Sequence, residues 1–264
     1  MNSINLLGIP YDGKSTFMKG PGLAPKKIRK IFHNGASNYT SENGILVNGP
    51  SLNDLGDIEI SSYDDIKDKM DKAYKSSPHH TLALGGDHSI TYALVKAAAK
   101  QFGKFSLLHI DAHADLYEEY EGDRFSHACP MARIMEENLV SSMTQIGIRT
   151  LNDHQRQQAT KYNVTIIEMK DWNGEINEID GPVYVTLDMD AFDPGFAPGV
   201  SHHEPGGFSP RQVISVVQNL KGPIIGADIV EYNPERDIHD MTGALAAKML
   251  KEIAAKMISS NYGA

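Results

Sequence analysis

The chain is nearly devoid of cysteine, with Cys129 as the only one. An internal disulfide is therefore impossible, which suits a reducing compartment and sets the cytoplasm as the expected location. Cysteine-ligated structural zinc is disfavoured on the same ground. Long apolar runs are lacking as well: none approaches the ~20 residues of a membrane span. The opening residues Met1–Gly8 have no basic region followed by a long apolar stretch, so no signal peptide is expected. Basic residues are outnumbered, 25 Lys and Arg against 34 Asp and Glu, for a net charge of −9. That balance argues against nucleic acid as a partner and is compatible with a cationic small substrate. No internal repeat, low-complexity segment or linker is visible. A length of 264 residues is enough for one large α/β domain and short for two, so one domain over 1–264 is expected.

What the chain does contain is strand-like runs alternating with helical patterns from end to end. Strands are expected at 4–9, 81–84, 104–108, 143–148, 164–167, 182–187 and 223–230, with a short edge strand at Ile45–Val47. Helices are expected from Pro25, at 62–75, 89–102, from Ser126 or His127 to Asn138, 152–162, briefly from Asp171, 209–220 and 240–259. This pattern implies a mostly parallel sheet of about eight strands, covered on both faces.

Four of the runs end in acids or histidine. One leads into His109-Ile110-Asp111-Ala112-His113-Ala114-Asp115, another into Gly85-Gly86-Asp87-His88-Ser89. A third leads into Asp188-Met189-Asp190-Ala191-Phe192-Asp193-Pro194, the last into Asp228-Ile229-Val230-Glu231-Tyr232-Asn233-Pro234. Ligands of open α/β sheets bind at the carboxyl ends of strands, so the four clusters should converge. Asp111, His113 and Asp115 sit at alternate positions, which an extended backbone would send to one side. His88, Asp111, His113, Asp115, Asp188 and Asp190 are thus six candidate metal ligands. One divalent ion does not need four carboxylates and two imidazoles. Two ions sharing bridging carboxylates would use them all and could hold a water between them as hydroxide. The mixed oxygen and nitrogen set suits manganese, with zinc, iron, cobalt or nickel as alternatives.

Taken in order, together with Glu204-Pro205-Gly206-Gly207, these motifs resemble the ureohydrolases: arginase, agmatinase and their relatives. The resemblance runs from the Gly20–Arg29 segment to the last helix and looks most like agmatinase. It implies a three-layer α/β/α fold with an eight-stranded parallel sheet, two manganese ions, and hydrolysis of a guanidino group to urea and an amine. By motif, His88, Asp111, Asp115 and Asp188 would hold one ion, and Asp111, His113, Asp188 and Asp190 the other. Asp115 could also accept a hydrogen bond from the attacking hydroxide. Glu231 would grip the guanidinium, since a carboxylate pairs with that planar fork. His127 matches a histidine placed to shuttle protons, a task its ordinary pKa suits. Asp193 and Asp228 would support the site, and Cys129 would be a small buried residue. Homo-oligomers, trimeric or hexameric, are common in the family.

Two departures from arginases bear on the substrate. Tyr117 stands where arginases carry an asparagine, and Val200-Ser201-His202-His203 replaces a Gly-Thr-Pro loop. Tyr117 and His202 are therefore candidate substrate contacts. The acidic stretch Glu118-Glu119-Tyr120-Glu121-Gly122-Asp123 would suit a tail ending in an amine. The expected reaction is hence agmatine to putrescine and urea. Alternatives are a relative acting on guanidinobutyrate, formiminoglutamate, guanidine or arginine, and an inactive homologue serving as a binding subunit. An acidic substrate would need a basic contact, for which Arg124 and Arg149 are candidates. A zinc deacetylase of related fold fits the six-ligand pattern less well.

Overall fold

Eight strands form along the chain: β1 (Ile4–Gly8), β2 (Leu52–Asp57), β3 (Thr81–Leu84), β4 (Ser106–Ile110), β5 (Ser142–Ile148), β6 (Thr165–Glu168), β7 (Val183–Asp188) and β8 (Ile224–Val230). This computed structural model describes residues 3–77, 79–176, 178–179 and 181–259. Residues 1–2 and 260–264 of the expected domain lie outside the described residues. Between the strands run α1 (Ala24–Phe32), α2 (Tyr63–Ser76), α3 (Ile90–Phe102), α4 (Pro130–Glu136), α5 (Asp153–Tyr162), α6 (Pro210–Asn219) and α7 (Met241–Ser259). Three helix starts have a clear local cause. Ser62 and Asn152 cap α2 and α5 through their side chains, and Ser209 with Pro210 opens α6.

The strands make one sheet in the order β2-β1-β3-β8-β7-β4-β5-β6, and every pairing is parallel. A parallel sheet must be covered on both faces. Ile28 of α1, Val213 and Val217 of α6, and Leu250 and Ile253 of α7 pack on one side. Ile66 of α2, Leu94 of α3, Met131 of α4 and Ala159 of α5 pack on the other. The result is the expected three-layer α/β/α architecture.

Three expectations are corrected. Ile45–Val47 is not a strand: Leu46 makes only an isolated antiparallel bridge to Thr40. One edge of the sheet is instead β2, whose sequence LNDLGD is mostly exposed and has no apolar alternation to reveal it. Tertiary contacts hold it instead. Arg29 of α1 meets Asp54 at 3.0 Å, pairs with Asp57, and donates to the Gly56 carbonyl at 2.9 Å. The second correction concerns α4, which starts at Pro130 rather than at Ser126 or His127. Proline is favoured at the first helical position, so the helix opens there and leaves His127 in a loop. The third is the short helix from Asp171, which is a 3₁₀ turn over Met169–Asp171 instead.

The sheet order has one consequence for function. The four strands with polar ends, β3, β8, β7 and β4, are consecutive neighbours at its centre. Behind them Gly147 of β5 has φ of 88°, where the ladder to β6 shifts register. A Cβ there would lie 2.6 Å from a Phe208 ring carbon and 2.9 Å from the Asp111 carbonyl oxygen. Gly147→Ala should therefore cost about 2 kcal/mol, from positive-φ strain plus overpacking, and lower Tm by roughly 4–8 °C. Thermal unfolding followed by circular dichroism checks this; an unchanged Tm would contradict the packing described.

Candidate metal centre and active site

β4 ends at Ile110 and the chain turns at once, so alternation along a strand does not gather Asp111, His113 and Asp115. Local turns do. Asp111 Oδ1 accepts the His113 backbone N–H at 2.7 Å, and Asp115 adopts a left-handed φ of 50°. At the end of β7, Asp188 Oδ1 likewise accepts the Asp190 backbone N–H at 2.7 Å. Aspartates make such side-chain turns readily, and each places its second oxygen, Oδ2, beside His88 Nδ1.

These turns bring all six candidate ligands together. His88 Nδ1 lies 3.1, 3.1 and 3.2 Å from carboxylate oxygens of Asp111, Asp115 and Asp188. His113 Nδ1 lies 3.0 Å from Asp190 and 3.5 Å from Asp111. Five of the six are buried and His113 is half-buried. Although three oxygens surround it, buried His88 Nδ1 has no hydrogen-bond partner. Ligand atoms about 2.1 Å from one ion, at right angles, stand about 3 Å apart. The contacts around His88 have that spacing. Burial and the neighbouring Asp190 and Asp111 push the Asp188 carboxyl well above its ordinary range. Burial opposes a charged His88, yet the three carboxylates raise its pKa well above the usual value. The cluster thus draws positive charge to its centre.

Behind the ligands lies a layer that sets their orientation. His88 Nε2 meets Thr186 Oγ1 at 2.9 Å, and the Thr186 hydroxyl donates to Asp228. With that hydroxyl donating onward, Nε2 is the donor to Thr186, and Nδ1 is the nitrogen that would face a metal. Asp228 also accepts from Tyr184 at 2.8 Å, so its expected supporting role is visible. His109 was not singled out from the sequence. Its Nδ1 accepts from Gln145 Nε2 at 2.9 Å, and its Nε2 donates to Asp111 at 2.7 Å. His109 falls in one potential metal cluster, with His88, Asp111 and Asp115. Both its nitrogens are occupied, so it orients Asp111 rather than offering a lone pair. Burial opposes ionisation of Asp111, but His109 helps hold its carboxyl well below the usual range. Its position two residues before Asp111 in a strand was the available signal.

Above the ligands is a cavity of about 220 Å³. Glu231, at φ 61°, reaches its inner wall. Its Oε1 accepts from the His88 backbone at 2.9 Å and from His127 Nδ1 at 2.8 Å, while buried Oε2 has no partner. Burial opposes a charged His127, but Glu231 and the nearby acids raise its pKa to about 9. Its Nε2 meets Thr16 Oγ1 at 2.9 Å. Thr16 belongs to the loop after β1, which Lys14 ties to Asp87 by a 2.8 Å backbone hydrogen bond. No sequence motif pointed to Thr16. His202 lines the wall beside His113 and His127, at 5.8 and 5.4 Å between ring centroids. Burial lowers the His202 pKa.

The outer wall holds Tyr117, Tyr120, Thr150, Gln155 and Glu204. Of these Tyr117 was singled out from the sequence, Glu204 opens the Glu204-Pro205-Gly206-Gly207 motif without having been given a role, and Thr150 and Gln155 carry no motif. The acids Glu118, Glu119, Glu121 and Asp123 do not line the cavity. Asp123 pairs instead with Lys14 at 2.5 Å. The proposed acidic tail site therefore does not form. Arg149 is consumed by backbone carbonyls, at 2.6 Å from Glu204 and 2.7 Å from Asp190, and Arg124 pairs with Glu136 at 2.8 Å. Neither arginine lines the cavity. Asp193 ties its loop together, accepting from Gly195 and Gly206 at 2.9 and 2.7 Å, and Cys129 is buried.

The sequence matches the Arginase family over residues 2–255. The chain belongs to that family. It is 40% identical to "Arginase 2, chloroplastic/mitochondrial" of Arabidopsis thaliana, over 96% of this chain and 80% of that protein. The structure of arginase from Medicago truncatula superposes with a TM-score of 0.92 at 38% identity, covering 97% of this chain and 87% of that one. Agmatine ureohydrolase of Thermoplasma volcanium gives 0.85 at 31% identity, covering 97% and 90%. These two plant arginases thus stand at higher identity than that agmatine ureohydrolase, and the expected likeness to agmatinase in particular is not confirmed. The family implies a binuclear metal site, and the residues fit one. Two potential clusters, one with His88 and Asp115 and one with His113 and Asp190, share Asp111. Asp111→Ala should then lose both ions. Metal analysis after manganese loading and gel filtration should read two ions per chain before the substitution and close to none after it. Retention of both would contradict the sharing.

Proposed function

We propose that this arginase-family hydrolase releases urea from arginine. The observation that carries the reading is the packing of Asp111, Asp115, Asp188 and Asp190 around His88 and His113 beside a cavity lined by Glu231, whose Oε2 has no partner. His88, Asp111, Asp115 and Asp188 would hold one divalent ion, and Asp111, His113, Asp188 and Asp190 the other, with Asp111 and Asp188 shared. Manganese suits this donor set. When bound, such a pair supplies water activated as a nucleophile near neutral pH.

The chain's own residues do the rest. A guanidinium carries five N–H donors and no acceptor. Glu231 Oε2 faces it with a free lone pair, while His127 and the His88 backbone hold Oε1 in place. This fixes the guanidino carbon over the cage, and positioning of that kind lowers the barrier. Hydrolysis forms one C–O bond, breaks one C–N bond and leaves the departing nitrogen in need of a proton. His127, protonated through much of the neutral range because of Glu231, is placed to deliver it. Asp115 is placed to accept a proton from the attacking water.

Tail recognition separates the substrates. Gln155 is buried, and its Oε1 has no partner. With Thr150, Tyr117 and Tyr120 it offers amide and hydroxyl groups that serve both donors and acceptors. Such a neutral wall matches the paired ammonium and carboxylate of an amino acid, and the plant relatives named as arginases support the same reading. Agmatine remains the second reading: Glu204 brings a carboxylate to the cavity rim, where an ammonium tail could meet it. A guanidino acid lacks a free basic partner there. An assembly of several copies belongs to the proposal, supported by the exposed apolar side chains of Leu23, Ile238 and Met241. The lone buried thiol of Cys129 supports a reducing compartment, of which the cytoplasm is one. Among the described residues no helix is long and apolar enough to cross a membrane.

Urea release from arginine, agmatine, 4-guanidinobutyrate and guanidine, measured side by side with manganese present, tests the proposal. Arginine should exceed agmatine in kcat/KM by about tenfold or more, the worth of roughly one net hydrogen bond. Faster agmatine would transfer the reading to Glu204. No urea from any of the four would leave the inactive homologue.

A further inference from the structure

The loop between β7 and α6 places His202 in an unusual position. The residue lines the cavity, and its buried Nε2 has no hydrogen-bond partner. Buried polar atoms are rarely left so, and one in the lining of a ligand cavity calls for an explanation. The ring is not free to turn away. Ser201 Oγ accepts from Asn233 Nδ2 at 3.0 Å, His203 Nε2 meets the Pro198 carbonyl at 2.7 Å, and Arg149 holds the Glu204 carbonyl at 2.6 Å. The backbone is thus pinned on both sides of His202. The ring also packs against Phe17, with centroids 5.5 Å apart. Glu231 lines the same cavity, and its Oε2 is likewise unpartnered.

We propose that His202 Nε2 accepts a hydrogen bond from the substrate's guanidinium, which Glu231 holds through its other N–H groups. This rests on the guanidino reading above and deepens it. A donor-only planar head needs more than one acceptor to fix its rotation about the axis of a single carboxylate contact. An imidazole lone pair beside His127 supplies the second contact. The residue is a substrate-binding one; it acts on the head rather than on the tail.

The test uses the full chain loaded with manganese and the variants His202→Phe and His202→Asn. Phenylalanine keeps the bulk and the ring contact but removes the acceptor, whereas asparagine keeps an acceptor. Two readouts are taken: calorimetric binding of aminoguanidine, and KM against kcat for arginine. His202→Phe should weaken aminoguanidine binding and raise KM by about tenfold or more, the loss of one hydrogen bond to a charged group. Metal content should stay unchanged, and His202→Asn should recover a good part of the binding. Both readouts within twofold of the unmodified protein would overturn the contact. So would asparagine no better than phenylalanine, or a loss that follows loss of metal. The two failures are separable. Tight aminoguanidine binding that needs His202, without urea from any guanidino compound, would sink the hydrolase reading and keep the contact. Urea release insensitive to His202→Phe would do the reverse.

Discussion

Four aspartates buried within a few ångströms of one another are the constraint on which the rest of this structure depends. Burial and neighbouring carboxylates work against the charge of Asp188 and Asp190, and isolated carboxylates in such a place would be costly. Two imidazoles share the space, and His88 Nδ1 faces three of the oxygens. The arrangement is favourable only with positive charge at its centre, and two divalent ions balance four carboxylates. Much of the surrounding architecture maintains that focus.

The sheet does the first part. Its order makes neighbours of the four strands that end in polar clusters, so no long loop is needed to join them. Short aspartate turns do the second part, at Asp111 and again at Asp188. A third contribution comes from buried relays behind the ligands. The Thr186–Asp228 pair fixes the tautomer of His88, and Gln145 with His109 orients Asp111. Left-handed backbone at Asp115 and Glu231 shows where the chain departs from relaxed geometry to aim a carboxylate.

Much of the frame is legible in the residues because apolar period and strand-end chemistry agree. Central strands such as Val183–Asp188 are buried throughout and announce themselves as aliphatic runs. The edge strand Leu52–Asp57 does not, because salt bridges to Arg29 rather than a buried face hold it. Ligands carried by short motifs are visible for the same reason that they work: the spacing is the turn. Groups supplied by distant segments leave no such trace. Thr16, Thr150 and Gln155 reach one cavity from separate segments, and only the folded chain shows that they meet. The acidic loop after Asp115 is the opposite case. Sequence proximity to the site suggested a tail contact, but Asp123 turns to Lys14 and tyrosines face the cavity. The substrate expectation moves accordingly from agmatine toward arginine.

Crystals grown with manganese, with anomalous scattering recorded at its absorption edge, test the central claim most directly. Two peaks about 3.5–4 Å apart are expected. One should lie among His88, Asp111, Asp115 and Asp188, the other among Asp111, His113, Asp188 and Asp190. A single peak, or none within this cage, would contradict the account.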